Sequence, residues 1–137
     1  MSLEDNKAIV RRFYEELLHT GNPELVDELF APDYTQHYSG HPEPISREDF
    51  KQLVTLFAHA FPLPQVIVQD MIAEADKVTA RFIWHGTHSG EFRSIAPTGK
   101  PVTMTGIHIF RLIEGKIVEQ WVEEDQQGFQ QLSDTDS

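Results

Sequence analysis

Lys77-Val78-Thr79-Ala80-Arg81-Phe82-Ile83-Trp84-His85-Gly86-Thr87-His88 alternates two sets of side chains. Val78, Ala80, Phe82, Trp84, Gly86 and His88 share one face, and Thr79, Arg81, Ile83, His85 and Thr87 share the other, which is the twofold period of a strand. The same period recurs around it, and predicts strands at about 65–73, 77–88, 101–113 and 116–125. Glu74-Ala75-Asp76 turns the first pair, an arm containing Pro97-Thr98-Gly99-Lys100 joins the second, and Glu114-Gly115 suits a two-residue hairpin turn.

Upstream the period becomes helical. Ile9, Val10, Phe13, Tyr14, Leu17 and Leu18 make one stripe of a helix from Glu4 to Thr20, which Gly21 ends. Asn22-Pro23 caps a short second helix, and a short extended piece follows at 34–38. Beyond the loop His41-Pro42-Glu43-Pro44, Ser46 and Asp49 suit a capping box for a third helix that turns Phe50, Leu53, Val54, Phe57 and Phe61 inward. Helices first and a strand meander second predict an α+β fold, one domain over 1–137, in which a curved antiparallel sheet wraps on the helices as a cone. The polar residues 133–137 read as a frayed tail.

A tight hairpin at Glu114-Gly115 sets His108 opposite Trp121 and Met104 opposite Asp125. In that register Met104, Gly106, His108, Phe110, Trp121, Glu123 and Asp125 continue the face of Phe82, Trp84 and His88, while Glu124 points outward. Its aromatic members require an apolar cover, and the helices are available. His88, His108, Glu123 and Asp125 then look into the mouth of the cone. Ile83, Ile107, Ile109, Val118 and Val122 make the other face too apolar for a solvated sheet, so a second copy of the chain is expected to cover it.

The chain of 137 residues has 11 Lys plus Arg against 22 Asp plus Glu, a formal charge of −11, and no cysteine. Disulfides, thiolate catalysis and thiolate-held metals are thereby excluded. The acidic balance argues against nucleic-acid and anionic-membrane partners. With no apolar run near the roughly 20 residues of a membrane span, the expected location is the cytoplasm. The seven histidines do not form a metal set, because His85 and His88 point to opposite faces of one strand and the others are scattered. No metal and no cofactor are expected. Asp125, in a pocket of aromatic walls with Glu123 two residues away, is placed for proton transfer, since burial and a like charge both raise a carboxyl's pKa. On spacing alone, its position before Gln126-Gln127-Gly128-Phe129 favours the plainer role of capping a terminal turn.

Trp84-His85-Gly86-Thr87-His88-Ser89-Gly90-Glu91-Phe92, Ala96-Pro97-Thr98-Gly99-Lys100, Ile107-His108-Ile109-Phe110-Arg111 and Gly115-Lys116-Ile117-Val118-Glu119-Gln120-Trp121 come in this order, followed by Asp125 and Gln130-Gln131-Leu132. With Asn6 through Tyr14, Phe30-Ala31-Pro32-Asp33-Tyr34 and His37, the set resembles the SnoaL-like polyketide cyclases, or ester cyclases, over nearly the whole chain. The resemblance implies a nuclear-transport-factor-2-like cone. It also implies an aspartate that serves as acid and base in an intramolecular aldol cyclisation without metal or cofactor. Carried over by motif, that aspartate is Asp125 and the pocket histidine is His108, with His37 and His88 at further family positions. Glu124 and Ser133 depart from the family pattern, which commonly has an apolar residue before the aspartate and a glycine after Gln-Gln-Leu. The expected function is therefore a cyclase or isomerase acting on a small apolar carbonyl compound held by His37, Phe82, Trp84, His88, Met104, Phe110, Trp121 and Glu123. The rival is a binding or oligomerisation module of the same fold that performs no chemistry.

Overall fold

Ser2 opens the first helix with a reciprocal cap: its hydroxyl accepts the Asp5 N–H, and the Asp5 carboxylate accepts the Ser2 N–H. The computed structural model describes residues 2–134, with backbone alone at 133 and 134. Helix α1 (Leu3–Arg12) runs into a π-helical turn (Phe13–Leu17) and then α2 (Leu18–Thr20), which stops at Gly21 in the left-handed region (φ +67°). Phe13, Tyr14 and Leu17, all in the π-helical turn, are buried. Asn22 caps α3 (Pro23–Leu29), its side chain accepting the Glu24 N–H, and the Ser46 hydroxyl caps α4 (Arg47–Ala60) by accepting the Asp49 N–H.

Among the described residues the sheet has six strands in the order β2-β1-β6-β5-β4-β3: β1 (Phe30–Tyr38), β2 (Ile45–Ser46), β3 (Gln65–Glu74), β4 (Lys77–Thr87), β5 (Pro101–Ile113) and β6 (Lys116–Glu124). A short α5 (Gln127–Gln130) and a 3-10 turn (Gln131–Asp134) close the description. The expected tail therefore begins in a turn, and its last three residues, 135–137, lie outside the described residues. The α+β class and the curved sheet on N-terminal helices are as expected. The sheet is not wholly antiparallel, because β1 lies parallel to β6. The extended piece expected at 34–38 starts earlier, at Phe30, directly after the helix ends at Leu29. Phe30 and Ala31 are buried there, and the register of β1 slips between Phe30 and Thr35, where Pro32 withholds an N–H.

The larger correction lies in the β5–β6 hairpin. Its turn is as expected, with Glu114 and Gly115 both at positive φ and Ile113 facing Lys116. Leu112 then faces Ile117, but Arg111 faces Glu119, so Val118 is an extra residue on β6. This bulge keeps Ile117 fully buried opposite Leu112 and bends the strand around the cone. From there on every side chain of β6 changes face relative to a regular hairpin. His108 faces Val122 and not Trp121, and Gly106 faces Glu124. Gln120, Val122 and Glu124 point under the helices, while Trp121, Glu123 and Asp125 point away from them.

Between sheet and helices lies one aromatic core, in which Phe13, Tyr14, Phe30, Phe61, Phe82 and Phe110 are almost entirely buried. Each contributes roughly 1.5–3 kcal/mol of burial. The outer sheet face carries Ile67, Ile107 and Ile109 exposed, and Val122, expected among them, is buried in the core instead. Among the described residues no helix is long and apolar enough to cross a membrane.

Candidate functional site

The helices do not fill the cone. A cavity of about 120 Å³, open at one end, remains between α4 and the strands. That is close to the roughly 150 Å³ that takes up one benzene ring. Leu17, Phe50, Val54, Phe57 and Phe61 line it from the helical side, and Trp84, Met104 and Val122 from the sheet. Its polar groups come from two clusters.

The first is built around Glu124. Its Oε2 lies 2.8 Å from His108 Nε2, and its Oε1 accepts from the Tyr38 hydroxyl (2.6 Å) and from Gln126 Nε2 (2.9 Å). On the other side of the imidazole, the Tyr14 hydroxyl lies 2.8 Å from His108 Nδ1. An ionised carboxylate only accepts, so Nε2 carries the imidazole proton. In the neutral ring Nδ1 then accepts from Tyr14. The π-helical turn supplies Tyr14, the end of β1 supplies Tyr38, and the bulge supplies Glu124. Gly106 leaves room for that carboxylate: a Cβ there would stand 3.0 Å from Glu124 Cγ and 2.9 Å from the Phe82 ring. The second cluster is an amide pair, Gln36 and Gln120, around the buried Tyr34 hydroxyl.

Burial raises the Glu124 carboxyl, but His108 and, more weakly, Tyr38 and Gln126 outweigh it, and the group stays below the ordinary glutamate value of 4.5. Burial lifts the Tyr14 hydroxyl well above 10, and the neighbouring Glu124 charge lifts it further. Tyr38 is raised by the same two causes in the same order. Near neutral pH the site thus holds one carboxylate, met by hydroxyl, amide and imidazole donors.

Of the residues expected here, Trp84, Met104 and His108 line the cavity. Phe82 and Phe110 stand behind it, their rings 4.5 and 5.8 Å from the His108 ring. His88 is fully buried away from it; Thr98 Oγ1 lies 2.9 Å from its Nδ1, and its Nε2 has no partner. The bulge puts Trp121, Glu123 and Asp125 on the outer face. Asp125 is exposed there and its Oδ1 accepts the Gln127 N–H at 3.0 Å, the capping role that its sequence context also fits. His37 is on the outer face too, stacked on Trp121 with its Nε2 2.6 Å from Glu119 Oε2. The alternation read from the sequence points Glu124 outward, and nothing in the local pattern marks Tyr14, Tyr38 or Gln126 as site residues. Among the described residues no three His, Asp or Glu gather as metal ligands.

A curved sheet closed by helices over a small apolar cavity, with a buried carboxylate–imidazole pair at its wall, defines a cone-shaped α+β pocket domain. The chain belongs to the SnoaL-like polyketide cyclase family, whose model matches residues 8–132. It is 28% identical over 120 residues to the aklanonic acid methyl ester cyclase AcmA of Streptomyces galilaeus, covering 84% of this chain and 81% of that one. Among solved structures it is similar to AclR of Streptomyces galilaeus, provisionally assigned as a hydroxylase (TM-score 0.87, 25% identity, covering 97% of this chain and 83% of that one). It is also similar to IdmH of Streptomyces antibioticus, provisionally assigned as a polyketide cyclase (TM-score 0.80, 31% identity, covering 94% and 98%).

Proposed function

We propose that the chain is a cofactor-independent cyclase or isomerase that works by acid/base catalysis on a small apolar carbonyl compound, with Glu124 as its catalytic carboxylate. The observation that carries this reading is the Glu124–His108 pair at the cavity wall, buried among aromatic rings and 2.8 Å apart. Asp125, the aspartate that the resemblance selects, is exposed and occupied as a cap, which argues for its neighbour instead.

The steps follow from the charge state. Ionised Glu124 takes a proton from a carbon flanked by two carbonyl groups, the enolate attacks a second carbonyl carbon of the same molecule, and the new alkoxide takes the proton back from Glu124. Atoms and charge balance, and no other reactant is consumed. A ligand that displaces water from the cavity strengthens burial, already the largest influence on this carboxyl, and so raises its basicity. Tyr38, which also borders the cavity and donates to Glu124 Oε1 in the resting site, turns its O–H to the developing oxyanion once Glu124 has taken the proton; His108 and Tyr14 are positioning residues that hold the carboxylate. The cyclase name of AcmA supports a ring closure. The provisional hydroxylase assignment of AclR, similar in fold, supports a reaction selected by the cavity and not by the fold. The apolar outer face, with Ile107 47% and Ile109 37% exposed, supports a homodimer or larger homo-oligomer formed through the sheet.

The test is deuterium uptake at the carbon between the carbonyls of ethyl benzoylacetate, followed by NMR with the whole chain as catalyst. Glu124→Gln is expected to lose about 10²–10⁴ in catalysed rate, and Asp125→Asn to stay within about twofold of the parent. Unchanged exchange in Glu124→Gln, or its collapse in Asp125→Asn, overturns the assignment.

A further inference from the structure

The Gln36–Tyr34–Gln120 cluster has a donor left over. The Tyr34 hydroxyl donates to Gln120 Oε1 (2.7 Å), and Gln36 Nε2 donates to the Tyr34 oxygen (2.9 Å) and to Gln120 Oε1 (3.3 Å). The Gln120 oxygen is therefore doubly satisfied and its amide is held by two partners. Its nitrogen has no acceptor, although Gln120 is fully buried. Leaving a buried donor unpaired is costly, and natural chains rarely do so. Gln120 also borders the cavity, and so do Gln36 and Glu124. Gln120, Val122 and Glu124 occupy alternate positions of β6, so the amide and the carboxylate stand on one face with backbones about 13 Å apart.

We infer that Gln120 is a specificity-determining residue, whose Nε2 donates to a carbonyl oxygen of the bound molecule while Gln36 and Tyr34 fix the amide. The cavity then has two unlike poles joined by an apolar wall: an acceptor at Glu124, where a proton is removed, and a donor at Gln120, where a ketone, ester or quinone oxygen docks. The ligand class is an apolar ring compound with a carbonyl remote from its acidic C–H. Such an arrangement favours oxygenated rings over hydrocarbons of the same shape, because a hydrocarbon leaves the amide unpaired. The inference rests on the cavity being the ligand site. The donor role of Gln120 does not depend on Glu124 doing chemistry, and binding is read separately from turnover.

The probes are 1-tetralone and tetralin, which share a skeleton and differ by one carbonyl oxygen, with affinities measured by calorimetry or tryptophan fluorescence. The parent chain is expected to bind 1-tetralone about five- to tenfold more tightly than tetralin. Gln120→Met, which removes the donor at similar volume, erases that ratio while tetralin affinity holds. Gln120→Glu, measured at pH 8, keeps an oxygen for Tyr34 and Gln36 but has no proton to offer, and is expected to reverse the preference. A ratio that survives in Gln120→Glu, or equal losses for both probes in the two variants, overturns the inference. Failure of this test leaves the exchange experiment on Glu124 intact, and failure of that experiment leaves this ratio unmoved.

Discussion

Replacing His108 by leucine removes the strongest partner of a buried carboxylate and leaves the burial. Two polar groups lose their hydrogen bonds, Glu124 Oε2 and the Tyr14 hydroxyl, each at 2.8 Å in the parent. At about 1–3 kcal/mol per unsatisfied buried group, and with a charge left uncompensated, the expected destabilisation near neutral pH is about 3–5 kcal/mol. The pH dependence gives a sharper signature. In the parent, Glu124 is held below 4.5, so its contribution to stability is present above that pH and fades as pH falls through the depressed folded value. In His108→Leu the main downward influence is gone and burial, which acts upward, dominates. Stability is then favoured at low pH and falls as pH rises above 4.5, by about 1.4 kcal/mol per unit until the raised folded value is passed. The assay is urea unfolding of His108→Leu against His108→Leu/Glu124→Leu from pH 4 to pH 8. Neither chain has the histidine, so the difference reports the carboxyl alone. The double variant is expected to become progressively the more stable of the two as pH rises. A difference that stays flat across this range refutes the claim that Glu124 is buried against His108.

Three further outcomes are expected. Tyr14→Phe keeps the ring and loses one buried hydrogen bond, so it costs about 1 kcal/mol by urea unfolding and shifts the pH profile of deuterium exchange, which a merely structural tyrosine would not do. Gly106→Ala places a methyl 2.9 Å from both the Phe82 ring and the Glu123 carbonyl oxygen; it is expected to destabilise by about 1–3 kcal/mol and to lower exchange by displacing Glu124. Ile107→Glu, on the outer face, is expected to convert an oligomer to a monomer in sedimentation while leaving 1-tetralone affinity unchanged.

What could be read without coordinates depended on whether a pattern ran unbroken. Strand β4 has no bulge, so the alternation of Val78, Ala80, Phe82 and Trp84 gave the buried face directly. The caps at Asn22 and Ser46 were legible because they are local chemistry, a side-chain oxygen meeting an N–H two or three residues ahead. Glu124 was hidden by parity. One extra residue, Val118, reverses the face of everything after it, and its trace in the sequence is the adjacent apolar pair Ile117-Val118, which an unbroken strand divides between two faces. Tyr14 was legible as a member of the inward helical stripe but not as a site residue, since its partner His108 lies 94 residues away. The parallel pairing of β1 with β6 was likewise a long-range outcome, in a strand whose proline reads locally as a break.

The carboxylate that meets the ligand is assigned to Glu124. Carbon-13 NMR of the glutamate and aspartate side-chain carboxyls, recorded while 1-tetralone is titrated into the parent chain, observes it directly. The resonance of Glu124 is expected to move and that of Asp125 to stay. Movement at Asp125 with Glu124 unmoved contradicts that assignment.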